Sequence, residues 1–426
     1  AIARYAPGEA AHFLGELAAA LGGTENVATP LADALREATG SDSAEGEAAK
    51  VVVIWGDRLA RDGAVDALLD LAGALNLTAF EGSGLLEIPD FANARGTREA
   101  GCLPDAGPGL TSSPSSPDNG HQGERVGRGT EEIRAALESG ELSGLILFGV
   151  DPLRDFPDTP AWEAALTAAD HLVVFSMHEN ATTAKADVVL PLETHAEKDG
   201  TVTHPDGRLQ RVRPSASRPE AVRPNWQVLG ELSTALGHDT GITSQPTAFA
   251  ALTEAVPFYN GITDADIGGQ GTRWQDAPAA ANVPSSVEAP GAGSPDTQRG
   301  APTGTTDPGD AARGGASADP APGASLALGT YRDLWAGPIT ELNPPLKFLR
   351  PTQHLEIAPS DAERLGLQSG DPVAVSQNGS SIDATVQIKE RVAPGTCFLA
   401  EGVAGGNANA LLNGGPVRVE IAKAEG

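Results

Sequence analysis

The chain opens on a helical periodicity. From about Pro7 to Leu21 the apolar residues Leu14, Leu17, Ala18 and Leu21 fall on one face, and Gly22-Gly23 closes the helix. A second, shorter helix is expected over Pro30 to Ala38. The period then changes. Val51-Val52-Val53-Ile54-Trp55-Gly56 is a continuous apolar run, the pattern of a strand buried on both faces of a parallel sheet. An amphipathic helix through Val65, Leu68, Leu69, Leu71, Ala72 and Leu75 follows, then a short strand near Leu77-Thr78-Ala79-Phe80, together a right-handed strand–helix–strand unit. Residues 104–129, rich in Gly, Pro and Ser, read as a long flexible loop. Beyond it the alternation resumes: helix Glu131 to Glu138, strand Leu145 to Gly149, and helix Pro160 to Ala169 with Thr159 as its N-cap. Strands at Leu172 to Phe175 and Ala186 to Pro191 complete it. This is an α/β fold with a doubly wound, mostly parallel sheet, assigned to residues 1–274.

From 275 to 325 the chain is Ala, Pro, Gly, Ser, Thr and Asp with almost no large apolar residue. Such a stretch cannot bury enough surface to offset its ordering entropy and is expected to be a disordered linker. After it, over 326–426, the period becomes that of short strands: Leu355 to Ile357, Val373 to Val375, Ile382 to Ile388, Thr396 to Leu399 and Val417 to Ile421. Asn378-Gly379 marks a hairpin, and one short helix, Ser360 to Leu365, is capped by Ser360 and stopped by Gly366. A small β-barrel is expected.

Composition narrows the function. Aromatics are 4% of 426 residues, so the cores must be aliphatic. The net charge of −28 repels phosphate backbones and anionic headgroups, which argues against nucleic acid or bare membrane as a partner. No apolar run approaches the ~20 residues that span a bilayer, so direct membrane insertion is not expected. Cys102 and Cys397 are too few and too far apart for a zinc site or an iron–sulfur cluster, and both read as reduced, buried residues. The chain begins Ala1-Ile2-Ala3 and its single methionine is Met177, so a fragment or processed piece is expected.

Several blocks bear on chemistry. Gly149-Val150-Asp151-Pro152 follows a parallel strand, at the sheet edge where ligands of open α/β folds gather; its alternative is a tight strand exit ended by Pro152. His195 and Glu197 would share a face if extended, but no third ligand is near in sequence. Glu197 to Arg211, with Thr203-His204-Pro205-Asp206-Gly207-Arg208-Leu209-Gln210-Arg211 inside it, brings Arg208 and Arg211 together with Arg213 beyond. These arginines suit either phosphate or ion pairs, and ion pairs are favoured in so acidic a chain.

Taken in order with Ala186-Asp187-Val188-Val189-Leu190-Pro191, Pro359-Ser360-Asp361-Ala362, Gly370-Asp371 and Val392-Ala393-Pro394-Gly395, these blocks resemble the molybdopterin oxidoreductases and their C-terminal molybdopterin-dinucleotide-binding barrel. Asn93-Ala94-Arg95-Gly96, the Thr203 to Arg211 block, Val256-Pro257-Phe258-Tyr259 and Ile267-Gly268-Gly269 are further similar to the G subunit of bacterial NADH-quinone oxidoreductase (complex I). The resemblance implies a vestigial pterin crevice at Gly149, Asp151, Pro152, Glu197, Gly200 and Thr201, with no catalytic residue and no metal ligand. His204-Pro205 stands where the family often has Asn, and an imidazole before a proline does not repeat an amide contact, which argues against a retained molybdopterin. It also implies that [4Fe-4S] and [2Fe-2S] clusters lie in Cys-rich domains upstream. The partners would be other peripheral-arm subunits, at the cytoplasmic side of the bacterial inner membrane. The rival expectation is a catalytic, formate-dehydrogenase-like molybdopterin enzyme. A free-standing dinucleotide-binding module is a third.

Overall fold

The computed structural model describes residues 2–39, 50–79, 81–111, 127–284 and 325–424. Strands are labelled in chain order, and helices are named by their residues.

The first helices, Ala10–Leu21, Thr29–Thr39 and Val65–Ala74, pack through Leu17, Ala20, Ala28, Ala32 and Leu71. Beside them lie two parallel strands, β1 (Val52–Gly56) and β2 (Gly84–Ile88). The strand expected at Leu77 to Phe80 is not there. Asn76 takes a left-handed conformation after helix Val65–Ala74, its N–H bonds Gly73 O, and Leu77 N–H bonds Ala72 O. That is a Schellman cap, and buried Leu77 is its customary apolar contact, so its hydrophobicity belongs to a helix end. Phe80 lies outside the described residues.

A second parallel sheet runs β3 (Gly144–Phe148), β4 (His171–Ser176), β5 (Val188–Pro191), in that order. Helices Thr130–Glu138 and Thr159–Ala168 accompany it, and Leu147, Leu166, Leu172 and Val174 form one core cluster. The second helix is capped one residue earlier than expected, by Asp158, whose carboxylate accepts the Ala161 N–H at 3.3 Å. The apolar runs predict strands covered on both faces; among the described residues the central β4 is, with Val174 and Phe175 buried on opposite sides, whereas β1 and β3 are covered on one. Ile54 is 64% exposed, Ile146 53% and Phe148 43%, and the aliphatic Val52, Ile88, Val188 and Val189 are exposed with them.

A small antiparallel sheet follows: β6 (Gly200–Thr203), β7 (Arg208–Val212) and β8 (Thr272–Arg273). It sits on a core of Leu209, Phe249, Val256, Phe258, Tyr259, Ile262, Ile267 and Trp274. The linker does not begin at 275. Residues 275–284 continue as short 3-10 turns, Trp274–Asp276 and Pro278–Asn282, whose Ala277 and Ala280 pack on that core. Small residues are enough to seat a turn against aromatic neighbours, which composition does not show. The rest of the expected linker, 285–324, and loop residues 112–126 lie outside the described residues.

The C-terminal part is a closed six-stranded barrel in the order β10-β12-β11-β14-β9-β13. Its strands are β9 (Leu326–Arg332), β10 (His354–Ile357), β11 (Pro372–Gln377), β12 (Ser380–Ile388), β13 (Thr396–Glu401) and β14 (Arg418–Lys423). Asn378 and Gly379, both at positive φ, make the β11–β12 hairpin. Helix Pro359–Leu365 ends at left-handed Gly366, but no side chain caps its start, where Ala358 stands in place of the expected Ser360. Leu326, Leu355, Ile357, Val375, Leu399 and Val419 fill the interior.

Candidate functional site

The parallel strands β3 and β4 deliver their carboxyl ends to one edge, and the ends of β9 and β13 of the barrel face them. Between lies a crevice of about 230 Å³, lined from the sheet side by Gly149, Asp151 and Asn180 and from the barrel side by Arg332, Glu401 and Gly402.

Gly149 leaves β3 at φ +69°, a conformation that suits glycine, while its N–H still bonds Phe175 O at 2.9 Å. The chain therefore turns sharply into the crevice. Asp151, extended as a residue before proline must be, receives a hydrogen bond from the Thr182 hydroxyl and precedes helix Pro152–Asp155. Pro152 is buried at the first position of that turn. Asp155 receives the Asp151 N–H at 3.0 Å, and its carboxyl is raised above the ordinary aspartate range, chiefly by burial.

Arg154 crosses to the barrel. It binds Glu341 through both oxygens, at 2.9 and 2.6 Å, and also donates to Gly402 O. Its own carbonyl accepts from Asn407 and Asn409 at 2.8 and 2.7 Å. The hydrogen bond from Arg154 holds the Glu341 carboxyl below its ordinary value. On the other flank Glu401, only 6% exposed, is the centre of a second cluster. Arg58 reaches one of its oxygens at 3.2 Å, Arg61 the other at 3.4 Å, and Arg332 stands 3.9 Å away. The Thr330 hydroxyl also donates to it. Arg61 bonds Asp90 at 2.7 Å, and Arg332 lies over the Phe91 ring at 4.4 Å.

Of the residues marked from sequence, Gly149 and Asp151 line this crevice, and Pro152 is buried next to Asp151 at the start of helix Pro152–Asp155. Glu197, Gly200 and Thr201 do not line it. Glu197 accepts the Thr194 N–H at 2.9 Å and closes a turn; Gly200 and Thr201 begin β6, opposite Val212 and Arg211. His195 and Glu197 lie in that turn and not in a strand. Arg211 pairs with Asp199 and Asp264, Arg208 approaches Asp206 at 3.8 Å, and His204 Nδ1 bonds the same aspartate at 2.8 Å. Cys102, expected buried, is exposed; Cys397 is buried in the barrel core, where burial pushes its thiol up to about 12. Sequence reasoning missed Arg154, Arg332, Glu341 and Glu401. Each is an ordinary charged residue until remote segments meet.

The blocks at Asn93 to Gly96, Thr203 to Arg211 and Val256 to Tyr259 converge elsewhere, on one buried polar knot. The Tyr259 hydroxyl donates to Glu99 and stands 3.1 Å from the Thr203 hydroxyl. Arg95 pairs with Glu99 at 2.8 Å and lies over the Trp274 ring at 5.4 Å. Asn93 accepts the Thr203 N–H at 2.8 Å. Burial, then Glu99, raises the Tyr259 phenol well above its ordinary value. With the phenol held neutral and its hydroxyl spent on Glu99 and Thr203, its work is to fasten β6 and β7 to helix Ala94–Glu99.

An anionic pterin dinucleotide would meet an excess of like charge in this crevice. The lining carries the carboxylates Asp151, Asp155, Asp333 and Glu401 against two arginines, and both arginines are already engaged by protein groups. Its volume lies below the roughly 300–1,000 Å³ usual for ligand pockets. As folded, these residues do not fit that group.

The comparisons with known proteins agree with the architecture. The Molybdopterin oxidoreductase family matches residues 8–235, and the Molydopterin dinucleotide binding domain matches 326–422. The NADPH-Fe(3+) oxidoreductase subunit alpha of Geobacter sulfurreducens is 30% identical over 96% of this chain and 46% of its own length. The NADH-quinone oxidoreductase G subunit 2 of Rhizobium meliloti is 28% identical over 78% of this chain and 37% of its own. The F420-dependent formate dehydrogenase subunit alpha of Methanocaldococcus jannaschii is 29% identical over 50% and 32%. The chain thus spans less than half the length of these curated relatives. On the match that covers more than half of its residues, and on the α/β-plus-barrel architecture that accompanies it, the chain belongs to the molybdopterin oxidoreductase family.

Proposed function

We propose that this chain is an accessory part of a multi-subunit oxidoreductase, akin to the G subunit of NADH-quinone oxidoreductase, and a scaffold without an active site of its own. The observation that carries the reading is the crevice chemistry: of the arginines that a dinucleotide's phosphates would need, Arg154 is bound by Glu341 and Arg332 stands among Glu401 and Asp90, 3.9 and 3.8 Å away, on the same chain. The polar knot of Glu99, Tyr259 and Thr203 supports it, because the blocks that resemble the G subunit meet there with a structural task. In this reading Gly149, Asp151 and Pro152 are the remnant of a cofactor site, whereas Glu197, Gly200 and Thr201 serve the β6–β7 sheet. Iron–sulfur clusters would be carried elsewhere in the longer polypeptide. The partners would be neighbouring subunits of a peripheral arm at the cytoplasmic side of the inner membrane. No helix of the described residues is long and apolar enough to cross a membrane.

A second reading, a catalytic molybdopterin enzyme similar to the formate dehydrogenases, is favoured by the two family matches and by a crevice at the carboxyl edge of a parallel sheet. One experiment separates the two. Molybdenum and tungsten are measured by mass spectrometry, and pterin by the fluorescence of its oxidised form, in protein purified at full length. The proposal expects far less than one metal and one pterin per chain. Stoichiometric metal with pterin overturns it in favour of the catalytic reading.

A further inference from the structure

The connection from β9 to β10 carries an unusual load of apolar side chains into water. Leu334 is 84% exposed and Phe348 81%, and Trp335, Ile339 and Leu342 are exposed with them. Single exposed apolar residues are ordinary on any protein surface, but a concentration of large ones in one connection marks an interaction site.

The connection is nevertheless well built, and by other means. Helix Pro338–Leu342 opens on a proline, and the Gly337 carbonyl accepts the Thr340 and Glu341 N–H groups at 3.1 Å. Thr340 is buried, and Glu341 is held by Arg154 through both of its oxygens. Pro344-Pro345 then begin a 3-10 turn, Pro344–Leu349, in which the Leu346 N–H bonds Asn343 O at 2.9 Å. Each proline fixes its own φ, so the turn has little freedom left to lose when a partner arrives. Thr340 and Glu341 thus hold the helix from within, while Ile339 and Leu342 on either side of them stand outward. Side chains left mostly in water contribute little to keeping the connection in place.

Charge on the inner side is accounted for. Asp333 accepts the Trp335 N–H at 2.8 Å, and Glu341 is bound by Arg154 and approached by Arg350. From Leu342 to His354 the sequence holds Lys347 and Arg350 and no aspartate or glutamate. Lys347 is exposed beside Phe348 and is in no ion pair among the described residues.

We propose that this connection is a docking surface for a neighbouring polypeptide of the assembly, one that presents an apolar segment edged by carboxylates. Leu334 and Phe348 are the anchors that the partner buries, and Lys347 is the rim charge that meets its carboxylate. The relatives reported above are subunits by name, which favours a protein occupant. An anionic lipid surface would be repelled by the net charge of −28. The proposal deepens the accessory reading and rests on it for the existence of a partner subunit.

The test compares the full chain in its assembly, purified through a tag on this chain from the organism that makes it, with the same chain produced alone. Acetylation of lysines is followed by peptide mass mapping. Lys347 is expected to react at least about tenfold more slowly in the assembly, as a residue covered by a partner does. Zero-length carbodiimide coupling is expected to join it to an aspartate or glutamate of another polypeptide. Leu334→Ser combined with Phe348→Ser is expected to fold, because both side chains already stand in water, and to lower recovery of that polypeptide at least about tenfold. Should circular dichroism show the double variant unfolded, Phe348→Ser alone serves, with the same direction expected. Equal acetylation in the two states, coupling confined to this chain, or undiminished recovery by the folded variant overturns the proposal. Recovery with no other polypeptide overturns it too. So does co-sedimentation of wild type with vesicles of phosphatidylcholine and phosphatidylserine that the variant loses, which would assign the surface to lipid. Stoichiometric metal and pterin would sink the accessory reading while leaving the protection and coupling of Lys347 as expected here, so the two failures are distinguishable.

Discussion

Removing a single oxygen from the buried knot tests whether it is structural. In Tyr259→Phe the Glu99 carboxylate loses the hydroxyl that donates to its Oε2. Its other oxygen keeps Arg95 at 2.8 Å, so the charge stays balanced and one buried acceptor lone pair is orphaned. Thr203 cannot replace the donor in place: its hydroxyl hydrogen-bonds the lost oxygen, 3.1 Å away, and no contact joins it to Glu99. A hydrogen bond to a charged group contributes about 1.5–3 kcal/mol, and both Tyr259 and Glu99 are less than 5% exposed, so water does not compensate. About 2 kcal/mol is the expected loss. Urea unfolding followed by tryptophan fluorescence measures it, since Trp274 packs 4.6 Å from Phe258 in the same core. With a slope near 2 kcal/mol per molar, the midpoint should fall by roughly 1 M with the slope unchanged. Tyr331→Phe, which leaves the knot intact, is the control. A change below about 0.5 kcal/mol, the range of an ordinary surface substitution, would refute the claim that this hydroxyl fastens the sheet to helix Ala94–Glu99.

Other outcomes follow from the same geometry. Gly101→Ala should destabilise: φ +91° costs an L-residue about 1–2 kcal/mol, and its Cβ would overlap the backbone at Pro108, so a drop in the thermal midpoint is the readout. Iodoacetamide at mildly alkaline pH should label Cys102 alone in the folded chain and Cys397 only after denaturation, as peptide mass mapping would show. Because Arg154 depresses the Glu341 carboxyl, that pair's contribution is fully present above the unfolded value of about 4.3 and is lost as pH falls through the lower folded value. Glu341→Gln should therefore flatten the acid limb of a thermal-stability profile against pH; an unchanged limb would disprove the contribution.

The elements were legible where one periodicity had one cause. The helices at Ala10–Leu21 and Val65–Ala74, strands β3 and β4, and the Asn378-Gly379 hairpin follow from apolar spacing and turn chemistry. Three other features were not legible. The run Val51 to Trp55 reads alike whether one face or both are covered, since a β-branched strand does not record its second layer. Leu77 carries the same apolar signal in a helix cap as in a strand. Strand β9 is interrupted by Gly329, which leaves room for the Phe398 ring and hides the run Leu326 to Tyr331 from a strand pattern. At the site, Gly149 and Asp151 could be found because a loop after a parallel strand has a known place in such sheets. Glu401 could not: its partner Arg58 is 343 positions away, and only the closed barrel brings them together.

The side of β1 and β3 left bare among the described residues has a consequence for the molecule in solution. Ile54, Ile146 and Phe148 offer one copy a greasy surface for the next, and the net charge of −28 opposes that approach. The two forces respond differently to electrolyte. Repulsion reaches about 10 Å at 0.1 M salt and about 3 Å at 1 M, whereas apolar attraction does not weaken as ions are added. Dilute buffer is therefore expected to keep the copies dispersed and concentrated salt to drive them to cluster through these strands, which light scattering against salt concentration would show.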